Sequence, residues 1–190
     1  MTRETHFNEV FLDEVRIPAS SMIGKPGDGW KVANASLGTE RSGVGAGGAD
    51  DNIDRLVRLA RRVTHRGAPR IADSAVRQEI ARFAARSMTL KAMSYTVATR
   101  AETGTSTASD APITKIWFSE LNLELAEYAM RLQGPFGGLV EGDPLVPDDG
   151  HWQDSFLYAR AWTIAGGSNE IMRNLIAERG LGLPREPRGA

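Results

Sequence analysis

Two short segments concentrate the residues able to do chemistry. The first is Ala165-Gly-Gly-Ser-Asn-Glu170, inside a run from Trp162 to Pro184 that turns a two-glycine loop into an amphipathic helix. The backbone amides of Gly166 and Gly167 need no side chain to act as donors. Ser168 or Asn169 is placed to cap the helix that follows. Glu170 stands in its first turn, where a carboxylate interacts favourably with the helix N-terminus. The second segment is Leu37-Gly-Thr-Glu-Arg41, a carboxylate beside a guanidinium. Taken alone, Glu40 and Arg41 read as a solvated pair on an exposed helix face. Gly43, Gly45, Gly47 and Gly48 follow. Their absent side chains either break the helix near 47–50 or admit another backbone or a flat ligand, and the two are compatible.

Other chemistries are set aside by composition. There is no cysteine, which removes a disulfide framework, a thiol nucleophile and a thiolate metal site. That fits a reducing, cytoplasmic compartment. His6, His65 and His151 lack metal-ligand spacing and read as surface or loop residues, so no metal is expected. The formal net charge of −1 gives no general electrostatic case for nucleic acid or an anionic membrane. No basic helix face stands clear of interleaved acids, which disfavours a helical nucleic-acid binder. No apolar run follows the opening Met-Thr-Arg-Glu-Thr-His, and no stretch approaches a membrane span, so neither a signal peptide nor a membrane segment is expected.

The elements that must position these residues are mostly helical. With 190 residues and 41% hydrophobic content, the chain is long enough for one domain with a real core. Residues 6–17 mix alternation with apolar pairs and read as a strand ended by Pro18. Asp28 is placed to cap a helix beginning near Trp30 and running to about Val63, with a fresh start at Ala49-Asp-Asp51. Three stripes keep helical spacing: Ile53, Leu56, Val57, Ala60 and Val63; Val76, Ile80, Phe83, Ser87, Leu90 and Ser94; Ile113, Trp117, Leu121, Leu125, Tyr128 and Leu132. Gly67-Ala-Pro69 and Thr103–Ser109 separate them, Asp110 reads as an N-cap, and Gly134-Pro-Phe-Gly-Gly138 stops the third helix. Trp152–Ile164 and a segment to about Arg179, with Gly180 as C-cap, complete the set. The predicted architecture is all-α: an antiparallel four-helix bundle with a short N-terminal β segment. The divisions are 1–24 (strand and linker), 25–184 (bundle) and 185–190 (tail).

The closing run, with Ile176-Ala-Glu-Arg-Gly-Leu-Gly-Leu-Pro184, resembles the terminal motif of acyl-CoA dehydrogenases. Asn8–Pro18 looks like the last sheet segment of that family's middle domain, and Gly27-Asp-Gly-Trp30 like the turn opening its C-terminal helical domain. The resemblance implies oxidation of an acyl-CoA thioester to its 2,3-enoyl form. A carboxylate takes the α-proton, a hydride passes to FAD, and a backbone N–H polarises the thioester carbonyl.

In most of the family, that carboxylate and that N–H share the position of Gly166. Here the N–H remains without the carboxylate. A subset of the family carries the glutamate on the first bundle helix, which the resemblance maps to Glu40, with Arg41 beside the acyl-CoA. The same resemblance assigns Gly166 to substrate and Gly167, Ser168 and Glu170 to the flavin side. Arg131 replaces a family glutamine ahead of the Gly134 turn, and reads either as a contact to the flavin pyrophosphate or as an ordinary salt bridge. The family's Arg-x-x-Phe-Gly element is absent from Arg61–Gly67.

The family's N-terminal helical domain and most of its sheet domain lie outside this sequence, so the expected active site is incomplete in one chain. That implies a fragment of a longer enzyme of lipid metabolism, or a homo- or hetero-oligomer in which another chain supplies the rest. Such mixed assemblies occur in a branch that the chain resembles. The alternative is a non-catalytic oligomerisation or partner subunit. The acyl group and the electron acceptor stay open.

Overall fold

The computed structural model describes residues 8–43 and 49–185, with side chains at 8–37 and 51–185. Six α-helices carry the described fold: α1 (Gly29–Gly43), α2 (Ala49–Arg62), α3 (Ser74–Glu102), α4 (Asp110–Gln133), α5 (His151–Trp162) and α6 (Asn169–Leu175). α4 is the hub. It packs against α1, α2, α3, α5 and α6, while α2 also lies along α3. The result is the expected all-α bundle. Among the described residues, no helix is long and apolar enough to cross a membrane.

The core follows the helical stripes. Leu56 and Ala60 of α2, with Val63 just past its end, meet Val76, Ile80, Phe83 and Leu90 of α3 and Leu121, Leu125 and Leu132 of α4, all buried in one cluster. Phe83 lies against Tyr128 with ring centroids 5.5 Å apart. Burying a side chain of this size stabilises by about 1.5–3 kcal/mol. Trp152 of α5 closes the cluster. At the rim, Arg86 forks onto Glu124 (2.6 and 3.1 Å) and Trp117 donates its indole N–H to the Arg86 carbonyl at 3.0 Å. Glu124 is held below the usual carboxylate range, chiefly by the hydrogen bond from Arg86.

Several sequence expectations change in the folded chain. Residues 8–18 form no strand, and Val10, Phe11, Leu12, Val15 and Ile17 are exposed. Glu14, at φ 46°, breaks the extended run. A strand needs partners, and among the described residues no strand pairs with this segment. The only strands among the described residues are β1 (Thr64–His65) and β2 (Ala68–Pro69), an antiparallel pair. Arg66 and Gly67 turn between them at φ 50° and 81°, the left-handed pair that two-residue hairpins favour.

The helix ends also shift. Asp110 is the first residue of α4, and Ser109 takes the cap position. The Asp110 carboxylate instead accepts from the Thr107 N–H at 2.8 Å and from Arg100 at 2.5 Å. Asp28 does hold the position before α1, its carbonyl accepting from the Val32 N–H at 3.0 Å, while its carboxylate accepts from the Lys25 N–H at 3.0 Å. α6 runs into a wider π-type turn over Ile176–Gly180. Gly180 is not left-handed; it is needed because a Cβ there would sit 2.9 Å from Ser109 Oγ and 3.0 Å from its Cβ.

Candidate functional site

The two-glycine turn joins α5 to α6. α5 unwinds through Ile164 N–H to Ala161 C=O (3.0 Å) and Ala165 N–H to the same carbonyl (2.8 Å). Gly166 and Gly167 then reverse the chain at φ 68° and 104°, where an L side chain is strained. Gly167 N–H returns to Ile164 C=O at 3.2 Å, and Asn169 N–H to Thr163 C=O at 3.0 Å. Ser168 caps α6, its hydroxyl accepting from the Ile171 N–H at 3.3 Å. The turn is bordered by exposed apolar side chains, Ile164 and Ile171.

Glu170 follows as an exposed residue with Arg173 3.9 Å away. Hydrogen bonds from its own backbone N–H and from Ser168 hold its carboxyl below the usual range. Its carboxylate stands where it interacts favourably with the helix N-terminus. Behind the turn lies a feature that sequence reading missed. Asn169 is buried, and its Oδ1 accepts from Lys115 Nζ at 2.7 Å. Ser119 Oγ is 3.0 Å from the same oxygen and 3.0 Å from the Ile116 carbonyl, so one hydroxyl proton serves both. Lys115 and Ser119 are 2% and 0% exposed, whereas the expected core residue Ile113 is 42% exposed. The buried face of the first half of α4 thus turns away from the apolar stripe, because it receives the polar Asn169. No local pattern marks this; a lysine within a helix ordinarily reads as solvated.

Gly166, Gly167, Ser168 and Glu170 form one surface, but Arg131 does not join it. Arg131 sits sixteen positions beyond Lys115 on α4, about 24 Å along the axis at 1.5 Å per residue. Its guanidinium lies over the Tyr128 ring, 5.8 Å from the centroid, and it has no ion pair among the described residues. Of the two readings of Arg131, the salt bridge finds no acidic partner among the described residues. Beside it, the Gly134–Gly138 turn is held by buried Gln133, whose Oε1 accepts from Gln153 at 3.0 Å, and by Gln153 donating to the Phe136 carbonyl at 3.3 Å. Gly137 has no room for a side chain, since a Cβ would meet the Met130 carbonyl at 3.0 Å.

Glu40 and Arg41 fall in the last turns of α1, and their side chains lie outside the described residues, as do Gly45, Gly47, Gly48 and His6. The placement of α1 is informative nonetheless. α1 packs on α4, the helix that also holds Asn169. A cavity of about 310 Å³ opens between α2, α4 and α5, lined by Asn52, Asn122, His151, Tyr158 and Trp162 among others. Trp162 packs edge-on against Phe118 and Tyr158. His151, expected as a surface or loop residue, is half-buried in this wall at the first position of α5. Burial, then Arg55, push its pKa down against Asp148 and Asp154. Among the described residues, no cluster of three acidic or histidine side chains could hold a metal ion.

Comparison with known proteins agrees with this geometry. The family model described as acyl-CoA dehydrogenase, C-terminal domain, matches residues 27–181. The chain is 38% identical over 193 aligned positions to acyl-CoA dehydrogenase IpdE1 of Mycolicibacterium smegmatis, covering 100% of this chain and 45% of that protein. A structure titled Tcur3481-Tcur3483 steroid ACAD, G363A variant, superposes with TM-score 0.80 at 26% identity over 93% of this chain and 46% of that one. The ChsE4-ChsE5 complex from Mycobacterium tuberculosis gives TM-score 0.78 at 26% identity over the same shares, 93% and 46%. The chain thus spans less than half the length of the relatives it matches.

Proposed function

This chain belongs to the acyl-CoA dehydrogenase family, carrying its C-terminal helical domain, and we propose that it forms part of an FAD-dependent enzyme that dehydrogenates an acyl-CoA thioester between its α- and β-carbons. The observation that carries the reading is the Gly166-Gly167 turn. Two left-handed glycines present backbone without a Cβ, beside apolar Ile164 and Ile171. That surface fits a flat apolar ring and a carbonyl in need of a donor. FAD, when bound, supplies the hydride acceptor. Gly167, Ser168 and Glu170 would face it, and Arg131, far along α4, would meet a pyrophosphate in a different subunit contact from the turn.

Within this proposal, Gly166 N–H donates to the thioester oxygen and stabilises the enolate-like charge that develops as the α-proton leaves. Glu40 takes that proton, and Arg41 lies beside the acyl-CoA. Because α1 and the turn both rest on α4, the base and the donor share one rigid reference. The division at about residue 24 and at 185, the cytoplasmic location and a homo- or hetero-oligomer completing the cleft belong to the same proposal. The test is Glu40→Gln in the assembled enzyme. Exchange of the substrate α-proton should be lost while acyl-CoA still binds; full activity in the variant overturns Glu40 as the base.

One observation favours a second reading, a partner subunit without chemistry of its own. No carboxylate stands at Gly166, and its φ of 68° suits glycine rather than glutamate. The two structural neighbours named above are titled as two-component assemblies. An assembly in which Glu40→Gln changes nothing, while removal of this chain abolishes activity, supports that reading.

A further inference from the structure

We propose that Lys115, seconded by Ser119, is a positioning residue that sets the Gly166–Ser168 turn against α4. This rests on the assignment of that turn to substrate. The backbone of the turn is intrinsically permissive. Two consecutive glycines are the most permissive backbone available, and Ile164 and Ala165 before them are exposed. Its far end is different. Asn169 is tied twice, by its backbone N–H to Thr163 C=O at 3.0 Å and by its side-chain oxygen to Lys115 Nζ at 2.7 Å. The first bond closes the turn on itself. The second ties the closed turn to the frame of the bundle.

The geometry is built for that purpose. Lys115 and Ser119 stand one helical turn apart on α4, so their donors lie on one face and converge on a single acceptor. Both donors are almost fully buried, and Asn169 is 5% exposed. A charge-assisted hydrogen bond in such a setting is stronger and more directional than a neutral one. Taking an ammonium out of water is costly, so a buried lysine is a poor choice for stability alone. Met172, fully buried one turn further on, keeps α6 docked independently of Asn169. Loss of the lysine contact therefore frees the turn without releasing the helix.

The consequence is that Lys115 governs how the Gly166 N–H lines up with the base on α1, since both are referenced to α4. The experiment is Lys115→Met, which keeps length and removes the ammonium. Amide hydrogen exchange across 164–170 is measured on the protein, and steady-state kinetics on the flavin-loaded assembly. Exchange at Asn169 should accelerate about tenfold or more while the α3 and α4 core amides stay protected. kcat should fall roughly 10- to 100-fold with KM within about threefold, as for a catalytic donor displaced by about 1 Å.

Unchanged exchange over 164–170 overturns the proposal, whatever the kinetics. Faster exchange in a protein whose parent oxidises no acyl-CoA leaves Lys115 as the anchor and removes the functional reading instead. Ser119→Ala covers the case in which Lys115→Met does not fold. It should give the same pattern with smaller amplitude, and no change at 164–170 in that variant refutes the anchor.

Discussion

Replacing Gly166 by glutamate puts a carboxylate where most of the family has one, and the backbone sets a cost on doing so. Gly166 sits at φ 68°. An L residue in the left-handed region is disfavoured by about 1–2 kcal/mol relative to glycine, whereas asparagine tolerates it better. The expected order of stability is therefore Gly166, then Gly166→Asn, then Gly166→Ala and Gly166→Glu together at the bottom. For a domain of this size the loss amounts to a melting point lowered by roughly 2–8 °C. Thermal and denaturant unfolding of the series measures it, with the slope against denaturant unchanged if only the folded state is affected. In the assembled enzyme, Glu40→Gln with Gly166→Glu should recover part of the α-proton exchange that Glu40→Gln loses. If Gly166→Ala is as stable as the parent, or Gly166→Asn is no better than Gly166→Ala, the conformational argument fails.

Two further outcomes follow from burial and close packing. His151 is held toward its neutral form by burial and by Arg55, while the unfolded chain protonates near the ordinary histidine value of about 6.5. The unfolded state then binds more protons below that pH, so stability should fall as pH drops from about 7 to 5. His151→Gln should flatten that decline; an identical pH profile in the variant contradicts it. The depressed carboxyls of Asp110 and Glu124 lose their contribution only at more acid pH, which separates the two effects. Gly180→Ala should destabilise by about 1–3 kcal/mol through overpacking on Ser109, and Ser109→Gly should restore most of it in unfolding experiments; no rescue would place the cost elsewhere.

The bundle was legible because its signal is local and repeated. Leu56, Ala60 and Val63, or Val76, Ile80, Phe83 and Leu90, recur at the helical period, and every one of them is buried. Gly-Gly-Ser before Asn169 was legible for a similar reason, since glycine pairs and a serine cap are punctuation that acts within a few residues. What escaped depends on partners far along the chain. The alternation at 8–17 describes a strand only when another strand is present. Ile113 belongs to its stripe by spacing, yet α4 at that level faces Asn169, more than fifty positions away, and the buried face moves to Lys115 and Ser119.

That displacement explains why α4 is the element on which the site depends. Its second half is apolar on the core side, with Leu121, Leu125, Ala129 and Leu132 buried, and supplies the stability. Its first half buries polar groups instead, Thr114, Lys115 and Ser119, the last two turned away from the apolar stripe toward Asn169 at the end of the glycine turn. A glycine turn that must bring backbone close to a ligand cannot also carry the side chains that would hold it still. The holding groups must come from behind, from a rigid helix, and must be polar because a helix N-terminus offers them only polar partners. In α4, one helix joins the rigidity of the core to the polarity the turn requires, and α1 rests on the same helix.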